Sequence, residues 1–172
     1  MPQFKFYETV LYRRSRRSCR GASSIAEFGP SLILLLLFIF FPVVDLLSVC
    51  FSYSVVMVLN YNQAHEAALL PAEQADDPNG MVKKGLVDVW QKGLGRLLKQ
   101  VGTPETSLSY RNGEKLNDTT FAKIVVVRTN VTCNPFAPIP LPVGQVPGLN
   151  APVTLSVSTE RPMEDPDNAP AD

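Results

Sequence analysis

The stretch FGPSLILLLLFIFFPVVDLLSVCFSYSVVMVL, Phe28 to Leu59, decides how the rest of the chain is read. Its one side chain expected to carry a charge is Asp45. As a helix rising about 1.5 Å per residue, the stretch reaches roughly 45 Å, against about 30 Å of bilayer hydrocarbon. It holds about twenty Leu, Ile, Phe and Val residues, each worth about −0.3 to −0.6 kcal/mol at a helix centre, whereas one Asp costs about +2.5 to +3.5 kcal/mol. Even the low end of the apolar sum outweighs the aspartate, so the stretch is expected to insert into a membrane. Pro30 lies near its start, where a missing amide matters least, and Pro42 is expected to kink it. An acid inside a bilayer is by default a functional group. Residues from about Ile25 to Asp45 already fill the bilayer, however, and Asp45 then marks the outer interface.

The charges say which way the helix points. The chain has 172 residues and no net formal charge. Six basic residues (Lys5, Arg13, Arg14, Arg16, Arg17 and Arg20) precede Gly21 against one acid, Glu8, and the remainder is net acidic. Such asymmetry suits membrane orientation better than wrapping of nucleic acid. Positive charge stays inside, so residues 1–21 are expected as a cytoplasmic arm or leader and the part after the helix as an external domain. The apolar core is too long for a removable secretory signal, which has about 7–15 apolar residues. It is also too apolar for twin-arginine export.

Beyond the bilayer the helix is expected to continue to Leu70, where Pro71 stops it, giving a membrane and juxtamembrane helix over 22–70. Asp77 suits an N-cap and Pro78 a first helical position. From Met81 to Val101 the apolar residues Val82, Leu86, Val89, Trp90, Leu94, Leu97, Leu98 and Val101 recur at helical spacing. Lys83, Lys84, Lys92, Arg96 and Lys99 lie opposite. A basic amphipathic helix of this kind rests on an anionic membrane or packs on a sheet; Gly85, Gly93 and Gly95 weaken it in isolation and favour packing. Strands are expected at Ser107–Arg111, Phe121–Thr132 and Val153–Thr159, with Asn112-Gly113 as a hairpin turn. The segment from Pro135 to Pro152 carries six prolines and should be extended and exposed. Residues 161–172 read as a disordered acidic tail. The fold class is thus α+β: a long transmembrane helix, then an external domain, 71–160, of one amphipathic helix and a short antiparallel sheet.

One segment carries a resemblance. Arg20-Gly21-Ala22-Ser23-Ser24-Ile25-Ala26-Glu27-Phe28 leads into the leucine-rich run, which closes on Val43-Val44-Asp45. Asn62-Gln63-Ala64-His65-Glu66-Ala67-Ala68 follows. In this order the residues resemble the TadE-like family of tight-adherence (type IVb) pilus assembly proteins, over roughly residues 20–68. The resemblance implies a pseudopilin or minor pilin, single-pass in the bacterial inner membrane, with a structural or assembly role. A prepilin peptidase would cut after Gly21 and leave Ala22 as the new N-terminus. Glu27, Phe28 and Asp45 would be the assembly and helix-packing residues. Membrane lipid, the assembly ATPase and platform, and other pilin-like subunits would be the partners. Glu27 departs from the pattern, standing sixth after Gly21 where the family has its glutamate fifth. A long helix followed by a small antiparallel sheet is also the general plan of pilins.

Read without the family, Glu27 has a second role, because Ser24-Ile25-Ala26-Glu27 has the spacing of a capping box. No catalytic constellation is evident and no cofactor or metal is expected. The single histidine, His65, lacks a serine or cysteine partner in sequence, and the three cysteines have no ligand spacing. Cys50 reads as a small apolar side chain; Cys133 is external and open to bridging with a partner. Asn117-Asp118-Thr119 and Asn130-Val131-Thr132 match glycosylation sequons that also arise by chance. The alternative to a pilus component is a membrane-anchored envelope binding or adaptor domain without prepilin processing.

Overall fold

Helix dominates the first half of the chain because the apolar run leaves its backbone polar groups no other partner. The computed structural model describes the backbone of residues 20–115, 121–137, 144–165 and 169, with side chains from Phe28 onward except Lys115. The basic residues before Arg20, the side chains of Gly21, Ala22 and Glu27, the Asn117 sequon, Pro138, Pro140 and Pro142 lie outside the described parts. Arg20–Leu35 (α1), a π-helical turn at Leu36–Phe40 and Phe41–Leu69 (α2) follow one another without a break. Pro42 explains the π turn. It has no N–H to offer Phe38, and its ring crowds that carbonyl. The ladder widens, and the Phe41 amide bonds the Leu36 carbonyl five residues back. One helix, Phe28–Leu69 within this run, is long and apolar enough to cross a membrane. Only 6% of its most apolar window is buried within the protein, so the folded domain is not what shields it.

The helix starts earlier than a capping box requires. Arg20 already belongs to α1, so Ser24 lies within the first turns and not at their edge. Once a helix is nucleated, each further residue adds a bond, and nothing from Arg20 to Ser23 forbids one. At its other end α2 stops at Leu69, with Leu70 extended before Pro71.

A short helix, Ala72–Ala75 (α3), begins the part of the chain after α2. The single helix expected from Met81 to Val101 is instead divided. A π-helical turn at Met81–Gly85, an α-helix at Leu86–Lys92 (α4) and a 3-10 turn at Leu94–Leu97 lead into a strand that already begins at Gln100. Glycine sets both breaks. Gly93 leaves helical geometry, with φ −100° and ψ −113°. Gly95 lies so close beneath Trp90 that a Cβ there would come 2.7 Å from the indole Cε3. Asp77 caps a turn, not a helix: its Oδ1 accepts the Asn79 amide at 2.9 Å, and Gly80 is the N-cap of the following turn.

Three strands, Gln100–Lys115 (β1), Phe121–Cys133 (β2) and Val153–Pro162 (β3), form an antiparallel sheet in the order β1-β2-β3. Asn112-Gly113 is not the hairpin turn. Both residues sit inside β1 at a register shift, where Asn112 faces Lys123 and Lys115 faces Phe121. A side chain at Gly113 would meet Ile124 Cδ1 at 2.8 Å, so the close approach of β2 accounts for the glycine. The expected tail also starts later, since β3 continues through Pro162 opposite Ile124. Met163 is buried, its amide donating to Lys123 O at 2.9 Å, and the Glu164 amide donates to Ala68 O at 3.1 Å.

Alternation along β2 sends Val125, Val127, Thr129, Val131 and Cys133 inward. They meet a stripe on α2 formed by Val56, Leu59, Asn60, Gln63, Ala64 and Ala67. Two apolar clusters result. One joins Val55, Val56 and Leu59 to Trp90, Val131, Cys133 and Leu155; the other joins Ala64, Ala67 and Ala68 to Val82, Val125, Val127 and Met163. Alanines in the second cluster let helix and sheet approach closely.

Replacing Gly95 by Ala should destabilise the domain by about 1–3 kcal/mol, the usual cost of forcing a rigid ring to shift in a packed core. Chemical denaturation in detergent, followed by the Trp90 emission, measures it; a change within about 0.3 kcal/mol would refute the contact.

Candidate functional site

Between the two apolar clusters the helix presents two amides to the sheet. Asn60 Nδ2 donates to Val127 O at 2.9 Å and to Thr129 Oγ1 at 3.0 Å. Thr129 Oγ1 in turn donates to Gln63 Oε1 at 2.7 Å. Gln63 Nε2 reaches the other side, to Val82 O at 2.8 Å and Thr106 Oγ1 at 2.9 Å. Asn60, Gln63 and Thr129 are all fully buried. Each of these bonds contributes about 0.5–1.5 kcal/mol net; Asn60 Oδ1 is buried with no partner among the described residues. Further toward the apolar run, the Trp90 indole N–H donates to Val55 O at 3.1 Å.

Asp45 lies below these contacts. The carboxylate is 0% exposed, and its Oδ1 accepts the backbone amide of Ala137 at 2.9 Å. Its Oδ2 is buried with no partner among the described residues. Asp45 is therefore enclosed by the segment after β2, whereas most large apolar side chains of the helix from Phe28 to Leu47 are exposed. Val49, one turn further on, packs near Gly148, whose Cβ position is 3.2 Å from the valine methyl. The carboxylate works as a clasp: it holds the proline-rich segment to the helix where the domain begins.

The residues singled out from sequence are not brought together. Gly21, Ala22 and Glu27 lie in α1, and Phe28 is exposed. Glu27 and Asp45 are separated by about 27 Å of helix at 1.5 Å per residue. His65 is exposed but not isolated. Arg161 donates to its Nδ1 at 2.8 Å and to Tyr61 Oη at 2.6 Å, with the guanidinium 4.8 Å from the Tyr61 ring centre. Arginine has no acceptor, so the imidazole Nδ1 accepts in this contact. Among the described residues no group of three metal-ligating side chains occurs.

Sequence reasoning missed Asn60, Gln63, Thr129 and the partner of Asp45. Beside the amides, Val58, Leu59, Asn62, Leu86, Trp90 and Leu94 line an apolar groove of about 240 Å³ between α2 and α4. Cys133 is corrected by the structure. It is 3% exposed within the core, so no partner's thiol can reach it, and burial raises its thiol pKa. Cys50, expected as a core-like side chain, is exposed. No family model, no curated protein and no solved structure matches the chain.

Two outcomes follow from these contacts. Asp45→Ala removes a buried hydrogen bond worth about 0.5–1.5 kcal/mol, so hydrogen exchange at the Ala137 amide should quicken about two- to tenfold. Asp45→Asn, which keeps an acceptor, should fall between. Unchanged exchange in Asp45→Ala would show that the clasp holds nothing. In the folded protein Cys133 should resist a water-soluble maleimide and react on denaturation. Its raised pKa contributes stability that is full below the free thiol's value and is lost as pH rises through the native value. A Cys133→Ser variant should flatten that alkaline loss in a denaturation series.

Proposed function

We propose that the protein is a pseudopilin-like or minor-pilin-like component of a tight-adherence type pilus system, acting in assembly or as a structural subunit and not as an enzyme. The observation that carries this reading is the continuity of α1 and α2. An exposed apolar helix runs without a break into the spine on which a small antiparallel sheet is packed. The segment from Gly21 to Asp45, with its glycine, Glu27-Phe28 and closing aspartate, supports the same reading. On it, the basic arm stays in the cytoplasm and the sheet domain faces the outside of the bacterial inner membrane. Other pilin-like subunits and the assembly platform contact the helix, and a prepilin peptidase processes it. Because Gly21 and Ala22 are helical, cleavage requires the first turns of α1 to unwind, which the low helix propensity of glycine eases.

A second reading, an anchored envelope binding or adaptor domain, is favoured by the apolar groove between α2 and α4. It needs neither processing nor a filament. Mass spectrometry of the protein from cells with an active prepilin peptidase distinguishes the two. A chain beginning at Ala22 is expected. An intact Met1 would remove the processed pseudopilin, and co-purification with a stable partner without a filament defect on deletion would establish the adaptor.

A further inference from the structure

Three tethers fix how the external domain lies along the helix. Gln63 bonds Val82 O, Trp90 bonds Val55 O, and Asp45 bonds the Ala137 amide. Read in that order, the chain from Val82 through Trp90 descends along α2 toward the apolar run while α2 itself ascends. It then meets the segment after β2, where Lys99 O accepts the Asn134 amide at 2.8 Å, three residues before the Ala137 amide that Asp45 holds. At this end Lys99 Nζ donates to Phe136 O at 2.7 Å and sits 5.0 Å from the centre of the Phe136 ring. Phe136 is the residue before Ala137, so its Cα lies about 3.8 Å from that of the residue clasped by Asp45.

The apolar side chains here are uncovered. Phe136 is 57% exposed, Leu97 64% and Val101 47%. Leu46 and Leu47, beside Asp45 on the helix, are exposed as well. A water-facing end of a domain has no reason to gather these groups. An end resting on lipid has one: amphipathic surfaces place aromatic and aliphatic side chains at the headgroup–acyl boundary and keep lysine and arginine among the phosphates. Lys99 over the Phe136 ring, with exposed Arg96 close by in sequence, fits that division.

We infer that Phe136, Leu97 and Val101, with Lys99 and Arg96, form a lipid-facing foot that seats the domain on the leaflet from which the helix emerges. This rests on the membrane-anchored reading above. Lipid is favoured over a protein occupant because Ala137, the neighbour of Phe136, is held by Asp45, which lies within the exposed apolar run of the spanning helix.

Three single substitutions in the full chain, reconstituted in anionic vesicles whose acyl chains carry bromine, test it. Trp90, the one native tryptophan, lies about 15 Å of helix above Asp45 through its bond to Val55 and supplies a constant background. Leu36→Trp reports the bilayer interior, Phe136→Trp the foot, and Phe121→Trp the far end of the sheet. The expected result is strong bromine quenching of Leu36→Trp, quenching at least half as strong for Phe136→Trp, and none above background for Phe121→Trp. If Leu36→Trp is quenched while Phe136→Trp matches Phe121→Trp, the foot is wrong and the anchor stands. If Leu36→Trp also escapes quenching, the anchored reading fails and the foot with it. Protection of Phe136→Trp from aqueous iodide without bromine quenching would mean a second copy covers it, which overturns lipid as the occupant. Circular dichroism of each variant confirms that the sheet is retained.

Discussion

A hydrogen-bonded backbone that serves two different surroundings is the constraint from which the rest follows. From Phe28 to Leu47 the helix carries exposed apolar side chains and must satisfy its own peptide groups. From Asp45 onward one face of the same helix is buried, first by the segment after β2 and then by the sheet and α4. Because no break separates α1, the π turn and α2, the position and direction of the sheet are inherited from the helix. Pro42 tests this continuity, and the π turn accommodates it by lengthening a hydrogen-bond ring without ending the helix.

Helix and sheet must also agree on register along their length. Valine and alanine surfaces alone specify this weakly, because sliding one past the other loses little contact. The amides of Asn60 and Gln63 change that. Asn60 Nδ2 has its acceptors on β2, and Gln63 Nε2 has its own on β1 and before α4, so a shift by one turn would leave both donors buried and unpaired at about 1–3 kcal/mol each. The ladder thus contributes more to uniqueness than to net stability. Asp45 and Ala137 repeat the device at the lower end, with a carboxyl oxygen of the helix as acceptor for a backbone amide.

How much of this was legible depended on the range of each interaction. The apolar helix could be read because its signal is local: many apolar residues, one acid and a proline stop. The alternation in β2 and β3 is equally local. The region from Met81 to Val101 misled because apolar periodicity persisted across Gly93 and Gly95, and only the packing of Gly95 under Trp90 shows why the helix cannot. A strand starting at Gln100 carried no local signal, since β1 is ordered by its pairing with Cys133 and Thr132. The polar ladder was not legible at all. An asparagine whose partner lies 67 residues away reads like one facing water, and Asp45 is separated from Ala137 by 92.

The remaining face of α2 bears on what such a molecule is built to do. With the sheet covering Val56, Asn60, Gln63 and Ala67, the rest of the helix surface leaves Phe51, Tyr53, Met57, Val58 and Tyr61 exposed, Val58 at the groove beside α4. A domain that worked alone in water would have no use for so many large apolar groups along one helix. In a helical assembly the same side chains would pack against neighbouring helices. Tyr61 already shows a limit to that surface, because Arg161 caps its ring and hydroxyl and brings His65 into the same contact. Packing there would have to accept a cation from β3, whereas Phe51 to Val58 would accept only apolar surface.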